Sequence, residues 1–299
     1  MKLDHVAVAV EHWEQAWPLY VSELGGRWAS GGLNVGFAPA QLSYANGAKI
    51  EVLQPHAPDA NPFLRRFLDQ HGPGPHHVTF KVPDLASALE ALRDAGLHPV
   101  GVNMSMPWWM EAFIHPREGT GIVIQLAQAA GEWSTPPPEG FPAPTAPQAS
   151  LVRVVHAVAS MERGLAVFEG LLGGSRSAPQ PHRGATADGE EFEAVDLSWG
   201  GPLSIRLISP VEATSRSQAP ALDPAAPSGR ELSLGSWLLD RPGRVHHVAF
   251  ATSDRAILER LSPVADLPGA DPGREALVVE PAENNGTRVV LYAEETDAP

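Results

Sequence analysis

The sequence of 299 residues contains no cysteine, which excludes disulfides, thiolate metal sites and cysteine nucleophiles. Basic residues are also scarce. Lysine and arginine together number 21 against 35 aspartates and glutamates, and the formal net charge is −14. Because nucleic-acid binders normally carry a basic face, this balance argues against a nucleic-acid partner.

Long apolar runs are absent as well. No run approaches the roughly 20 residues that a helix needs to cross a bilayer. The chain starts directly with a strand-like pattern and shows no signal-peptide pattern. We therefore expect a cytoplasmic protein without a membrane partner, and a chain of this length can bury a large core.

A short pattern that opens a strand occurs four times. Its most developed copy is 74–82, in which polar and apolar residues nearly alternate from His77 onward, as in a strand with one face on a core. Related strand starts occur at 3–10, at 151–156 and at 245–250. Each is followed by a helical pattern and further strands, so the order β-α-β-β-β is repeated four times.

Glycine and capping residues locate the helices of these units. The first helix is predicted over 12–24, where Pro18 either kinks it or starts its last turns afresh. The second follows Asp84, a good N-cap, and the third is predicted over 161–172. A short helix is also expected over 61–70. Further strands are predicted over 35–39, 41–44, 49–53, 99–102, 111–115, 121–126, 192–197 and 203–208.

Proline-rich segments divide the chain. Residues 131–150 contain six prolines and little periodicity, which predicts an extended linker. The domains on either side are predicted to be 1–130 and 151–299. A polar, proline-containing stretch at 214–230 is predicted to be a mobile loop.

The repeat, with a histidine opening its first strand, resembles the vicinal oxygen chelate superfamily. This superfamily includes glyoxalase I, methylmalonyl-CoA epimerase, extradiol dioxygenases and antibiotic-resistance proteins. The most specific piece is PHHVTFKVPD at 75–84, with AFIHP at 112–116 and GIVIQL at 121–126, and this combination looks most like methylmalonyl-CoA epimerase. The resemblance implies an α+β fold of four βαβββ units in two tandem glyoxalase-like half-barrel domains.

The resemblance also implies one divalent metal ion on the concave face of a half-barrel. Carried over by position, the ligands fall on His5, Glu51, His77 and Gln125. The alternation of side chains along each strand supports this ligand set, because the apolar neighbour of each ligand points to the opposite face of the sheet. Two imidazoles, one carboxylate and one amide oxygen leave open positions on an octahedral ion. This set suits Mn, Co, Ni, Fe or Mg better than Zn.

One position departs from the superfamily pattern, which usually has glutamate where this sequence has Gln125. An amide oxygen can bind a metal but cannot act as a base, so Glu51 is the expected catalytic base. Glu111 and His115 are candidates for a second base. His76 has the opposite parity to His77 and is predicted to be structural or solvent-exposed. Taken alone, His5 or His77 would be interpreted as a hydrogen-bonded histidine at the start of a strand, not as a metal ligand.

The second half has different residues at the matching positions: Arg153, Arg206, His247 and either Val290 or Leu291. This set cannot hold a divalent metal, so the second half is predicted to be a degenerate copy that replaces the partner subunit of a homodimer. The chain is then either a monomer with an internal pseudo-dimer or a homodimer. The two arginines either grip a carboxylate or phosphate or pair with acidic residues such as Glu191 and Glu193.

Two function classes follow. The first is a divalent-metal-dependent lyase or isomerase, of the epimerase or glyoxalase kind, that enolises a small carbonyl substrate chelated to the metal. The second is a metal-free small-molecule binding protein, like the resistance proteins of the superfamily. Intact His5, Glu51 and His77 favour the enzyme, whereas Gln125 favours the binding protein. An extradiol dioxygenase is disfavoured, because in that family the metal site belongs to the C-terminal half.

Overall fold

The computed structural model describes residues 1–186, 189–211 and 233–294, so the loop predicted at 214–230 lies outside the described residues. Within these ranges sixteen strands form two curled mixed sheets. The strands of the first sheet are β1 (Lys2–Ala9), β2 (Arg27–Gly31), β3 (Gly36–Ser43), β4 (Lys49–His56), β5 (Gly74–Lys81), β6 (Val100–Met106), β7 (Trp109–Ile114) and β8 (Val123–Ala129). Those of the second sheet are β9 (Ser150–Val158), β10 (Ser175–Arg176), β11 (His182–Ala185), β12 (Glu191–Ser198), β13 (Ser204–Pro210), β14 (Gly243–Thr252), β15 (Leu277–Val279) and β16 (Val289–Ala293).

The strand order confirms the predicted α+β fold of two tandem half-barrels. It is β2-β3-β4-β1-β5-β8-β7-β6 in the first sheet and β10-β12-β13-β9-β14-β16-β15 in the second, with β11 beside β12. In each sheet the opening strands of two units pair antiparallel at the centre, β1 with β5 and β9 with β14. Each of them also pairs in parallel with the last strand of its own unit.

The described helices are short. The α-helices are α1 (Phe63–His71), α2 (Leu85–Asp94), α3 (Met161–Leu165), α4 (Leu234–Leu238) and α5 (Arg255–Arg260). As predicted, the side chain of Asp84 accepts hydrogen bonds from two backbone N–H groups at the start of α2. No helix in the described part of the chain is long and apolar enough to cross a membrane.

Several elements of the structure differ from the prediction, among them the helix predicted over 161–172, which is α3 followed by a π-helix at Ala166–Leu171. The helix predicted over 12–24 is a 3-10 turn at Trp13–Gln15 followed by a π-helix at Pro18–Glu23. The second piece begins at Pro18, which has no N–H to continue the first. The predicted strands 35–39 and 41–44 are one strand, β3. In the fourth unit, the counterpart of β6 is reduced to an isolated bridge between Pro263 and Leu277.

The convex faces of the two sheets share one hydrophobic core, which contains residues of both halves. Phe80 packs edge-on against Trp199, and Tyr44 against Phe250, each pair with ring centroids 5.0 Å apart. The backbones also approach closely, since a Cβ atom added to Gly121 would lie 1.9 Å from the carbonyl oxygen of Gly243. The two halves are therefore packed as a domain pair without a solvent layer at these contacts.

A buried histidine also joins the halves. His156 on β9 is 1% exposed, and its Nε2 lies 2.8 Å from the backbone oxygen of Thr120, to which it donates. Burial lowers the pKa of His156 from 6.5 to about 4. Between these pH values the unfolded chain binds a proton that the folded protein does not, so stability is lost as the pH falls.

We expect the free energy of unfolding to fall between pH 7 and pH 4.5, with His156 contributing on the order of 3 kcal/mol. The variant His156→Gln keeps a donor for the Thr120 oxygen but cannot titrate, so its stability should fall less over the same range. Urea unfolding of both proteins at several pH values measures this. Parallel curves would contradict the assignment, whatever the absolute stability of the variant.

Candidate metal centre

The four predicted ligands occupy two neighbouring rows across the central strands of the first sheet. The first row contains Glu51, Ala7 and His77 on β4, β1 and β5. The second row contains His5, Thr79 and Gln125 on β1, β5 and β8. Residues directly opposite one another on paired strands share a face, so all four side chains lie on the concave side.

Three of the four side chains meet directly. One ligand atom from each of His5, Glu51 and His77 lies within 4.8 Å of the others. Glu51 Oε2 is 3.6 Å from His5 Nε2 and 3.5 Å from His77 Nε2. All three residues are buried. The group is thus a carboxylate between two imidazole rings, shielded from solvent.

The fourth side chain reaches this group through a hydroxyl. Thr79 Oγ1 lies 2.9 Å from His5 Nε2 and donates a hydrogen bond of 2.6 Å to Gln125 Oε1. Gln125 is therefore in the same cluster, with its oxygen directed toward Thr79. Sequence parity alone did not identify Thr79 as a member of the site.

A second carboxylate orients His5. Asp4 Oδ2 lies 2.8 Å from His5 Nδ1, which leaves Nε2 facing Glu51. Strict alternation would place Asp4 on the opposite face from His5. However, the register of β1 against β5 shifts between Leu3 and His5, so Asp4 is the extra residue of a β-bulge and turns to the concave side.

His76 reaches the same side through a second bulge. The register of β1 against β5 shifts again between the pair Ala7–His77 and the pair Val8–Pro75. His76 lies between these two pairs and is the extra residue of the bulge. His76 is buried, its Nδ1 lies 2.9 Å from His77 Nδ1, and its ring packs on Phe67 of α1. Of the two alternatives predicted for His76, solvent exposure is wrong, because a bulge interrupts the alternation, and a structural role agrees with the buried ring.

The three ionisable groups have strongly shifted pKa values. Burial alone would raise the pKa of Glu51, but the neighbouring His5 and His77 lower it to about 2. Burial alone would lower the pKa of His5, but Glu51 and Asp4 raise it to about 9. Burial holds the pKa of His77 well below 6.5. The cluster therefore consists of a carboxylate, an imidazolium and a neutral imidazole.

These groups fit a divalent cation. His77 Nε2 is buried and without a hydrogen-bond partner, although it faces the Glu51 carboxylate. A neutral imidazole nitrogen beside a carboxylate is the donor set that such ions take, and a second imidazole held by a carboxylate is a common support for it. Loss of the His5 proton would free a third donor.

Glu111 lies at the outer side of the cluster. Its Oε2 accepts hydrogen bonds from Gln125 Nε2 at 2.7 Å and from Trp109 Nε1 at 2.9 Å. His115, the other candidate for a second base, is exposed, and its Nδ1 accepts a hydrogen bond from the backbone of Arg117. The structure thus brings Glu111 to the predicted ligands but does not bring His115 there.

Strand register identifies the matching positions in the second half. The counterparts of His5, Glu51, His77 and Gln125 are Arg153, Arg206, His247 and Val290. Arg206 donates to both carboxylate oxygens of Asp196 at 2.7 Å, and Arg153 contacts Asp271.

The prediction that the two arginines pair with acidic residues is therefore confirmed, but the partners predicted for them, Glu191 and Glu193, are wrong. Asp271 could not be recognised from the sequence, because it is 118 residues from Arg153 along the chain. Each guanidinium group already has a carboxylate partner within the protein. This leaves little reason for it to bind an external anion.

A loop of the fourth unit covers the second concave face. Leu267 and Ala270 pack against the cluster that contains Ala249, Val290 and Tyr292. Asp271 follows directly and reaches the arginines from the same loop. The second half therefore fills, with its own side chains, the position that holds the histidine and glutamate group in the first half.

Comparisons with known proteins agree with this architecture. Residues 4–105 match the family model described as Glyoxalase/Bleomycin resistance protein/Dioxygenase superfamily. The ethylmalonyl-CoA/methylmalonyl-CoA epimerase of Cereibacter sphaeroides is 28% identical over 137 residues, which are 42% of this chain and 97% of that protein. The uncharacterized protein YqjC of Bacillus subtilis is 29% identical over 143 residues, 44% of this chain and 94% of that one.

One solved structure extends over both halves. A mutant of 4-hydroxymandelate synthase from Streptomyces coelicolor superposes with a TM-score of 0.65 and covers 100% of this chain and 94% of that one, at 14% identity. At this identity the likeness shows the fold alone. The predicted resemblance to the superfamily is therefore confirmed for residues 4–105, and the predicted two-domain fold is confirmed for the chain.

In the metal-free protein we expect His5 to remain protonated at neutral pH, because Asp4 and Glu51 raise its pKa to about 9. The variant Asp4→Asn should move the pKa of His5 down toward the usual 6.5. Imidazole NMR spectra recorded through a pH titration measure this value. Asp94→Asn, an exposed substitution on α2, is the control. An unchanged His5 pKa in Asp4→Asn would contradict the role of Asp4.

Proposed function

Because the first half of this chain carries a domain of the glyoxalase/bleomycin resistance/dioxygenase superfamily, we propose that the protein is a divalent-metal-dependent lyase or isomerase that enolises a small carbonyl substrate. The observation that carries the proposal is the buried group of His5, Glu51 and His77, with its unpartnered His77 nitrogen. The proposal concerns the first half, since the matching positions of the second half hold ion-paired arginines.

In this proposal His5, Glu51 and His77 hold the ion, and the amide oxygen of Gln125 supplies a fourth ligand. When bound, a divalent cation would polarise the substrate carbonyl and stabilise the negative charge that develops on its oxygen. The donor set suits Mn, Co, Ni, Fe or Mg, and the set does not exclude Zn. Asp4 fixes the ring of His5 so that Nε2 points inward.

Two carboxylates are available to move protons. Glu51 is ionised at neutral pH, because His5 and His77 lower its pKa to about 2, and Gln41 Nε2 donates to its Oε1 at 3.1 Å. Glu111 stands on β7, on the far side of the central β1–β5 pair from Glu51 on β4. An isomerase that removes a proton from one face of a substrate and returns it to the other needs two such groups.

The chemistry of the chain favours a small substrate over an acyl-CoA. One relative is named as an ethylmalonyl-CoA/methylmalonyl-CoA epimerase, whose substrates carry CoA phosphates. Binding phosphates needs basic groups, and this chain has a net charge of −14. We therefore propose the enolisation chemistry for this chain without the CoA carrier.

We expect the purified, untagged protein to bind about one divalent ion per chain, and His77→Ala to lose it. The matched control is His247→Ala, which removes the counterpart histidine of the second half and should leave the metal content unchanged. Mass spectrometry of metals after incubation with Mn, Co, Ni, Fe, Mg or Zn salts measures the content. Wild-type protein that takes up none of them would favour the alternative, a metal-free small-molecule binding protein.

For proton transfer we expect Glu51→Gln and Glu111→Gln each to slow the exchange of α-protons of carbonyl compounds in deuterated water. The rate should fall roughly 10²–10⁴-fold, the usual contribution of a positioned acid or base. Glu90→Gln, on the exposed side of α2, should exchange at the wild-type rate. Exchange measured by NMR that persists in both site variants, with their metal content intact, would remove these two residues from the proposal.

A further inference from the structure

A lysine on the concave face of the first sheet lacks a counter-ion. Lys81 follows Thr79 by two residues on β5, so both side chains point to the same face. Its Nζ lies 3.8 Å from the centroid of the Trp109 ring, and the residue is half-buried. Across the described ranges, its ammonium group makes neither a hydrogen bond nor a salt bridge.

The acidic side chains around Lys81 are engaged elsewhere. Asp4 is bonded to His5, and Glu51 lies between His5 and His77. Glu132 lies 3.5 Å from the ammonium group of another lysine, Lys49. A half-buried charge without a salt bridge is unfavourable, because it has lost part of its hydration and the Trp109 ring compensates for only part of that loss. Such an ammonium group is suited to an anion that arrives with a ligand.

A second lysine on the same face behaves differently. Lys49 lies directly opposite His5 on the neighbouring strand β4. Its Nζ is 3.5 Å from Oε2 of Glu132 in the segment that follows β8. Of Lys49 and Lys81, Lys81 is therefore the one without a carboxylate of the described chain within salt-bridge distance.

The position of Lys81 limits the size of its ligand. Two residues along a strand span about 7 Å, so Lys81 stands one row beyond Thr79 and the cluster of His5, Glu51 and His77. An anion held there and a carbonyl held at the cluster would be only a few bonds apart. The opposite end of the concave face is apolar, since Leu64 and Leu68 of α1 pack there against Ala9 and Leu53.

We propose that the substrate is a small carbonyl compound that carries a carboxylate close to the reacting carbonyl, and that Lys81 binds this carboxylate. The apolar substituent of the substrate then points toward α1. This inference rests on the proposed function and deepens it, because it names the substrate class of the same site and the residue that selects it.

The test compares two small probes that differ in charge, pyruvate and its neutral amide, pyruvamide. Both are titrated by calorimetry into metal-loaded protein, with the metal content of every variant measured separately. We expect the wild type to bind pyruvate at least about tenfold more tightly than pyruvamide, the size of effect that a charge-assisted hydrogen bond produces. Lys81→Met should lose most of this preference while keeping its alkyl chain on Trp109.

Two variants serve as controls. Lys81→Arg keeps the positive charge and should keep the preference for pyruvate. Lys49→Met removes the lysine that already has a carboxylate partner, and it should also keep the preference. A preference that is absent in the wild type, survives in Lys81→Met, or disappears equally in Lys49→Met would overturn this inference while leaving the metal site intact. Protein that takes up no metal contradicts the proposed function itself, and the inference then falls with it.

Discussion

The antiparallel pairing of β1 with β5 is the constraint on which the first half depends. It joins the opening strands of two units, and it places the rings of His5 and His77 edge to face with centroids 5.7 Å apart. The parallel strand β4 then brings Glu51 between the two rings. A shift of one residue in this register would move a ligand to the opposite face and separate the group.

The two halves satisfy the same electrostatic requirement in opposite ways. A buried charge is tolerated only when it is paired. The second half pairs Arg153 and Arg206 with Asp196 and Asp271 inside the protein, so these four charges balance one another without any ligand. Among the described residues, Nε2 of His77 and Nε2 of its counterpart His247 both lack a hydrogen-bond partner, but the His77 nitrogen faces the Glu51 carboxylate, and the first half also leaves Lys81 without a salt bridge. The second half thus pairs its buried charges internally, whereas the first half keeps a carboxylate beside an unpartnered imidazole nitrogen, although the strands beneath them follow the same plan.

Much of this arrangement could be predicted from the repeat. The fold and the choice of His5, Glu51, His77 and Gln125 come from the resemblance of the repeat to a known superfamily. Their shared face follows from alternation within strands, because a regular strand has a period of two. The bulges at Asp4 and His76 could not be predicted from the sequence, because the extra residue in a bulge breaks the period of two but has no distinctive sequence pattern. Contacts between distant segments, such as Gln125 with Glu111 through the β7–β8 register, also need the folded sheet.

The core shared by the two sheets affects how the protein is made. The convex face of the first sheet, with Tyr44 and Phe80, is covered by Phe250 and Trp199 of the second half. At a synthesis rate of about 5–20 residues per second, roughly 10–30 s separate completion of the first half from completion of the second. During that interval the apolar face of the first sheet is exposed on the nascent chain, because the second half that packs against it has not yet been translated. An exposed apolar surface of this kind is what chaperones bind.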